Sequence, residues 1–326
     1  MTATSTPRER AAAPCPSGSG LPIVTVDHLR KTYGAGVGVR DVSFRVDRGE
    51  IFGIIGPNGA GKTTTVECLC GLRVPESGMI RVLGLDPQAD RAAIRERVGV
   101  QLQESALPLF IKVGEVLELF ASFYRQPADP GELMDALGLV AKRGAYFRRL
   151  SGGQKQRLSI ALALIGNPQI AILDELTTGL DPQARRDTWE LIEHVRDRGV
   201  TVILVTHYMD EAERLCDRVL LIDRGMVTAL DTPAGLAQSA GGGTCLRFVP
   251  SVPFDSRVLT ALREVTEIGH EGQRIRVTGT GDLVGAVIRA LDGAGVQAQA
   301  LQVENASLDD AYVRLIHHDH EEAVRP

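Results

Sequence analysis

The chain has 326 residues, a net charge of −5 and a composition that is 44% hydrophobic but only 4% aromatic. That length suits about two domains with ample apolar material for their cores. The acidic balance disfavours a global clamp on nucleic acid, and so few aromatics leave little for stacking on bases. No apolar run reaches the roughly 18–20 residues of a membrane span. The early charges Arg8, Glu9 and Arg10 are followed by no apolar stretch of a secretory signal. The five cysteines, at 15, 68, 70, 216 and 245, show no metal-binding spacing and fit reduced thiols.

In chain order, residues 1–20 are rich in Thr, Ser, Pro, Ala and Gly and read as a disordered tail. Alternation over 23–26 and 42–46 predicts half-buried strands. The short apolar run 50–55 predicts a strand that ends in a Gly-rich loop, with a helix from Lys62 to about Leu72. From there to about 165 the pattern reads as mostly helical, with a helical face formed by Val113, Val116, Leu117, Phe120 and Phe123 that fits core packing better than a partner surface. Strands at 170–173, 200–206 and 218–222 alternate with helices at 183–198 and 209–215, the signature of a parallel sheet covered on both faces. After a linker ending in three glycines (241–243), residues 244–318 predict strand, helix, two strands, helix, strand and a last helix at 307–317. That pattern suits a small α+β, ferredoxin-like domain, and 319–326 reads as a tail.

Three segments carry chemistry. Gly56-Pro57-Asn58-Gly59-Ala60-Gly61-Lys62-Thr63 fits the phosphate loop G-x-x-x-x-G-K-[ST]. Its glycines let backbone N–H groups turn inward around an anion, and the following helix points its positive end at the same place. Lys62 supplies a point charge for the β- and γ-phosphates. The Thr63 hydroxyl is a hard oxygen ligand for Mg²⁺, with Thr64 beside it in the same turn. Residues 170–173 lead into Asp174-Glu175, an acidic pair at the carboxyl end of an apolar strand, where ligands bind in open α/β sheets. Neighbouring strand side chains point opposite ways, so the two carboxylates take different tasks: Asp174 the Mg²⁺ shell, Glu175 general base toward the attacking water. Leu150-Ser151-Gly152-Gly153-Gln154 opens an apolar helix and makes a second anion-seeking helix end. Whether the two ends meet within one chain or across a dimer is open at this level.

The phosphate loop, Leu-Ser-Gly-Gly-Gln and the Asp-Glu strand, in this order, resemble the ABC-type ATPases over about residues 21–230. The resemblance implies an α/β phosphate-loop NTPase domain over 21–238 with a helical subdomain at about 104–165. It also implies a head-to-tail homodimer holding two ATPs, each between the phosphate loop of one copy and Leu-Ser-Gly-Gly-Gln of the other. Ser151 and Gly153, with Gln154 beside them, would then reach the γ-phosphate in trans. Tyr33, in Lys31-Thr32-Tyr33-Gly34, matches the aromatic that stacks on adenine. Gln103 matches the glutamine that reaches Mg²⁺ and relays to the membrane partner; Gln101 is its neighbouring rival, and spacing favours Gln103. Asp181 matches the dimer-contact aspartate and His207 the switch histidine on the γ-phosphate. The chain departs from the family at Leu176, where Pro usually follows the catalytic Glu. The helical segment resembles the one that docks on membrane-domain coupling helices, but Lys112-Val113-Gly114-Glu115 departs from the usual Thr-Val-x-Glu.

Ala306-Ser307-Leu308-Asp309-Asp310-Ala311-Tyr312 and the α+β appendage resemble bacterial exporter ATPases of the daunorubicin-resistance type. The resulting expectation is an ATP-hydrolysing exporter subunit, peripheral on the cytoplasmic face of the bacterial membrane, driving a separate multi-span permease for a drug, antibiotic or other hydrophobic compound. ATP and Mg²⁺ are the expected cofactors, with no further metal and no nucleic acid. His317, His318 and His320 fit a solvated tail better than a metal site. The alternatives are an importer ATPase, a soluble ABC ATPase acting on nucleic acid or ribosomes, and an ATP sensor with little turnover; the last is motivated only by Leu176. One cassette, no sustained heptads and no zinc-like cysteine spacing weigh against the soluble class.

Overall fold

The computed structural model describes residues 21–34, 37–101, 107–239, 243–272, 274–304 and 307–322. The expected tail at 1–20 and Gln103 lie outside them. The first unit contains strands β1 (Val24–Tyr33), β2 (Val37–Val46), β3 (Ile51–Ile55), β4 (Ser77–Val82), β5 (Val98–Gln101), β6 (Ile170–Asp174), β7 (Thr201–Val205), β8 (Arg218–Asp223) and β9 (Met226–Asp231). Its helices are α1 (Lys62–Leu69), α2 (Arg91–Arg95), α3 (Val113–Ala121), α4 (Pro130–Ala136), α5 (Gly152–Leu164), α6 (Pro182–Asp197), α7 (Met209–Leu215) and α8 (Pro233–Ser239). The nine strands form one sheet in the order β4-β1-β2-β9-β8-β3-β7-β6-β5.

The five strands β5, β6, β7, β3 and β8 pair in parallel, as continuous apolar runs between helices require. Period-2 alternation then divides their side chains between two cores. Ile51, Leu173, Leu204 and Leu221 pack on one face with α5, α6 and α7. Phe52, Ile172, Ile203 and Leu220 pack on the other with α1 and the β1–β2 layer. The outer half is mixed: β1 pairs antiparallel with β2 and β4, and β9 with β8, while β2 meets β9 in parallel. One expectation is corrected, a mostly helical stretch from 72 to 165, because β4 and β5 both fall inside that stretch. β9 also arises where no strand was expected. Along the expected stripe of α3, Val113, Val116 and Leu117 are buried, Phe120 is partly buried and Phe123 is exposed.

The C-terminal region holds β10 (Thr244–Pro250), α9 (Arg257–Thr260), β11 (Val265–Glu271), β12 (Arg274–Gly279), α10 (Leu283–Gly293), β13 (Ala298–Glu304) and α11 (Leu308–Glu322). The sheet order β11-β12-β10-β13, antiparallel throughout, is the split βαβ arrangement of ferredoxin-like folds. Leu246, Phe248, Val277 and Leu291 close its own core. The last helix leaves this core. α11 packs against α8 and α7, and Leu308 is buried in the core of the first unit with Tyr312 and Leu315 beside it.

Candidate active site

The phosphate loop runs from the end of β3 into α1. Gly56, Gly59 and Gly61 all have positive φ, at 152°, 80° and 106°. At Gly56 a Cβ would lie 2.1 Å from the Ile222 carbonyl oxygen, so only glycine fits. Gly61 caps α1 without any side-chain hydrogen bond, and the first turn carries no acid. The orphan N–H groups of α1 are therefore left for an anion. Lys62 is buried and donates from Nζ to the Gly56 and Pro57 carbonyls at 2.7 and 3.1 Å. Burial lowers its pKa, and the Glu175 and Asp174 charges oppose that shift.

Asp174 ends β6 almost wholly out of water, and its N–H donates to Gln101 Oε1 at 3.2 Å. Thus Gln101, the rival of Gln103, is held against the acidic strand. Asp174 Oδ2 is buried with no hydrogen-bond partner. Burial, reinforced by the neighbouring Glu175 charge, raises the Asp174 pKa to about 6 against the pull of Lys62. An unpaired buried carboxylate oxygen beside the Lys62 loop suits a hard cation, which would complete its coordination. Glu175 turns out of the strand with φ of 51°. Its N–H donates to the Val205 carbonyl at 2.9 Å, and its Oε1 lies 3.2 Å from His207 Nδ1. The two loops after β6 and β7 thereby bring the Glu175 carboxylate and His207 together.

Tyr33, Asn58, Gly59, Gly61, Lys62, Thr63, Thr64, Glu175 and His207 line a single cleft of about 400 Å³, with Val37 and Gly38. Sequence reasoning missed those last two; the signal was the run of glycines after Tyr33. Pro57 and Ala60 belong to the loop without lining the cleft. Tyr33 is 36% exposed, with Lys31 and Arg73 near its ring, an open face for a base.

Ser151, Gly152, Gly153, Gln154 and Asp181 line a different depression of about 500 Å³ that shares no lining residue with the first. Ser151 caps α5: its Oγ accepts from the Gln154 N–H and its own N–H donates to Gln154 Oε1, a capping box. Asp181 caps α6 by accepting from the Gln183 and Ala184 N–H groups at 3.0 and 2.9 Å. The two anion-seeking helix ends, α1 and α5, thus open into separate clefts.

A glycine-built phosphate loop with a buried lysine, beside an acidic strand end and a histidine, defines a nucleoside triphosphatase. Comparison with known proteins narrows this. Residues 39–178 match the ABC transporter family model. Over 227 residues the chain is 42% identical to the Nod factor export ATP-binding protein I of Ralstonia nicotianae, covering 67% of this chain and 70% of the relative. Over 313 residues it is 33% identical to the daunorubicin resistance ATP-binding protein DrrA3 of Streptomyces coeruleorubidus, covering 90% and 95%. Among solved structures, an ATP-binding subunit of an ABC transporter aligns with TM-score 0.61 and 29% identity over 67% of this chain and 93% of that one. The ATP-binding cassette MJ0796 in a dimeric post-hydrolysis state, bound to ADP and Pi, aligns with TM-score 0.58 and 26% identity over 64% and 98%. The chain belongs to the ABC transporter family of ATP-binding proteins, and it is an ATPase.

Proposed function

We propose that the chain is the ATP-hydrolysing subunit of a bacterial exporter and works as a head-to-tail homodimer on the cytoplasmic face of the membrane, against a separate multi-span permease. The observation that carries this reading is the separation of the α1 and α5 clefts on one chain. A second copy, turned end for end, would bring α5 of one protomer over α1 of the other. The export relatives support the direction of transport and a hydrophobic compound, such as a drug or antibiotic, as cargo. Leu109, Phe110 and Phe123 are large exposed apolar side chains on or beside the helical subdomain, a surface that suits a membrane-protein partner. Among the described residues no helix is long and apolar enough to cross a membrane.

In this reading Tyr33 stacks on adenine, and the N–H groups of the loop from Gly56 to Thr64, with Lys62, bind the β- and γ-phosphates. Asp174 and Thr63, with Gln103 or Gln101, would hold Mg²⁺, which when bound neutralises phosphate charge. Glu175 accepts the proton of the attacking water as the γ-phosphate departs. Ser151 and Gly153 of the second copy donate to the γ-phosphate, and Asp181 contacts the second copy. His207 donates to the γ-phosphate as well. An Nδ1–H given to Glu175 leaves Nε2 an acceptor in the neutral ring. A phosphate oxygen thus gains a donor there only with a doubly protonated ring or a broken dyad.

The test is mixing. Lys62→Ala and Ser151→Arg are each expected to be inactive. Mixed, they restore roughly a quarter of wild-type turnover, the share of intact composite sites under random pairing. No restoration in a mixture shown to form heterodimers would remove the trans sandwich. Pull-down of the tagged protein from solubilised membranes, read by mass spectrometry, tests the permease. Recovery of soluble partners alone would end the transporter reading.

A further inference from the structure

His207 stands on the short turn between β7 and α7, with 36% of its side chain exposed. The 3.2 Å contact from its Nδ1 to Glu175 Oε1 fixes one atom of the ring. A single point of attachment leaves the imidazole free to pivot about it, because χ2 of a histidine is a broad torsion. The next residue supplies a second attachment. The Tyr208 ring lies against the His207 ring, with centroids 4.1 Å apart and planes tilted by 38°. A ring contact of this kind restrains the plane that a hydrogen bond leaves free.

Tyr208 is itself held. Its N–H donates to the Thr206 hydroxyl at 3.0 Å, and its carbonyl accepts the Ala212 N–H at 3.2 Å. The half-buried Arg185 of α6 places its guanidinium carbon over the tyrosine ring, 4.6 Å from the centroid, within the range of a cation–π contact. That arginine also donates from Nη1 to Asp210 Oδ2 at 3.2 Å, so its place over the ring is not left to a free side chain. One turn further along α6, the Trp189 indole donates to the buried Glu211 at 3.0 Å. Two positions four apart on α6 thus both grip the first turn of α7. α6 spans 16 residues and is capped by Asp181, a rigid base from which to hold a loop. The contacts form one ladder: Arg185 on Tyr208, Tyr208 on His207, His207 on Glu175. Neither Arg185 nor Tyr208 lines the cleft that His207 and Glu175 share with Lys62.

We infer that Tyr208 is a positioning residue for ATP hydrolysis, with Arg185 as its anchor: its ring sets the plane of the His207 imidazole and so keeps Nδ1 on Glu175. The inference rests on the reading of Glu175 and His207 as the hydrolytic pair. Because the tyrosine and the arginine act through the histidine, their removal falls on turnover and leaves ATP affinity alone.

The experiment uses the full-length protein and measures kcat, ATP affinity by equilibrium titration and Tm. Variants are Tyr208→Leu, Tyr208→Phe, Arg185→Met, the double variant Tyr208→Leu/Arg185→Met, and His207→Ala. Tyr208→Leu keeps apolar bulk but no ring face. It is expected to lower kcat by about fivefold or more, since small misplacements of reacting groups have large effects, with ATP affinity changed by less than about twofold. Tyr208→Phe keeps the ring and its attraction for the guanidinium, so kcat stays within about twofold of wild type. Arg185→Met keeps the stem and loses the charge, and kcat is expected to fall by about two- to fivefold. The double variant is no slower than Tyr208→Leu, because the arginine acts only through the ring. A purely structural role predicts a lowered Tm with unchanged kcat per folded molecule. The inference is overturned by a folded Tyr208→Leu protein with wild-type kcat, by ATP affinity that falls along with kcat, by Tyr208→Phe as slow as Tyr208→Leu, by Arg185→Met at wild-type kcat, or by losses that multiply in the double variant. Should Tyr208→Leu not fold, Arg185→Met decides the matter: lowered kcat at unchanged ATP affinity supports the ladder, and wild-type kcat overturns it. Wild-type turnover by His207→Ala would bring down the hydrolytic reading, and this inference with it.

Discussion

Asp174 holds a charge in a place that does not favour it, and the pH dependence follows from that. Its folded pKa, about 6, stands above the ordinary 3.8. A carboxyl raised in this way costs the folded state nothing below its unfolded pKa. The cost grows as pH rises from about 4 to 6 and is complete above. Without nucleotide, Asp174→Asn is therefore expected to stabilise the protein at pH 7.5 by roughly 1–3 kcal/mol while abolishing turnover. That gain in Tm should shrink toward pH 4, and thermal melts across this range check it; a variant no more stable than wild type at pH 7.5 would contradict the burial argument. Leu176 answers a different question. Its side chain is fully buried, while Glu175 before it adopts φ of 51°, a conformation that a following proline makes harder to reach. Leu176→Pro is thus expected to lose packing worth about 2–4 kcal/mol as well as turnover, measurable by denaturant unfolding and phosphate release. Unchanged stability would show that the position tolerates either residue.

At the scale of elements, the two anion-seeking helices differ in a way no motif states. α1 begins on a glycine with its N–H groups unclaimed, whereas α5 begins on a serine already engaged with its own Gln154. Gly56→Ala is expected to abolish ATP binding, since its Cβ would strike the Ile222 carbonyl at 2.1 Å. Ser151→Ala should leave ATP binding intact, lower helix stability by about 1 kcal/mol and reduce turnover; nucleotide titration separates the two. The elements that sequence reading missed share a cause. β4 and β9 lie toward the partly exposed half of the sheet and carry Ser, Gly, Met, Thr or Asp in place of an apolar run. β5 has only four residues, and its Gly99 looks like a strand breaker. The fold needs it, because a Cβ there would fall 1.8 Å from the Ala163 carbonyl of α5. Close passage of a helix over a strand is a tertiary fact that propensity does not encode. The central strands were legible because burial on both faces demands unbroken apolar residues.

For the whole molecule, the consequence is incompleteness. One chain carries two anion-seeking helix ends that open into separate clefts, and the proposed nucleotide sandwich needs a second copy to join them. Glu175→Gln with ATP is accordingly expected to run as a dimer on size exclusion, and the same protein without ATP as a monomer; a variant that stays monomeric at saturating ATP would count against the sandwich. The C-terminal unit is joined back to the first by α11, which lies on α7 and α8, so removal of α11 takes Leu308 out of the first unit's core, exposes the flanks of α7 and α8 and should lower Tm.

The residues alone determined the phosphate loop, the acidic strand end, the second helix start and the histidine, because each is a local pattern whose chemistry follows from spacing along the chain. They also determined the alternation of buried strands and helices. Tertiary structure alone decided that Gln101 grips Asp174, that Val37 and Gly38 join the cleft, that Glu211 is buried against Trp189, and that the last helix returns to the first unit. Each of those depends on segments far apart in sequence meeting at a few ångströms, and such meetings are set by how the two cores close, which no local pattern of residue types records.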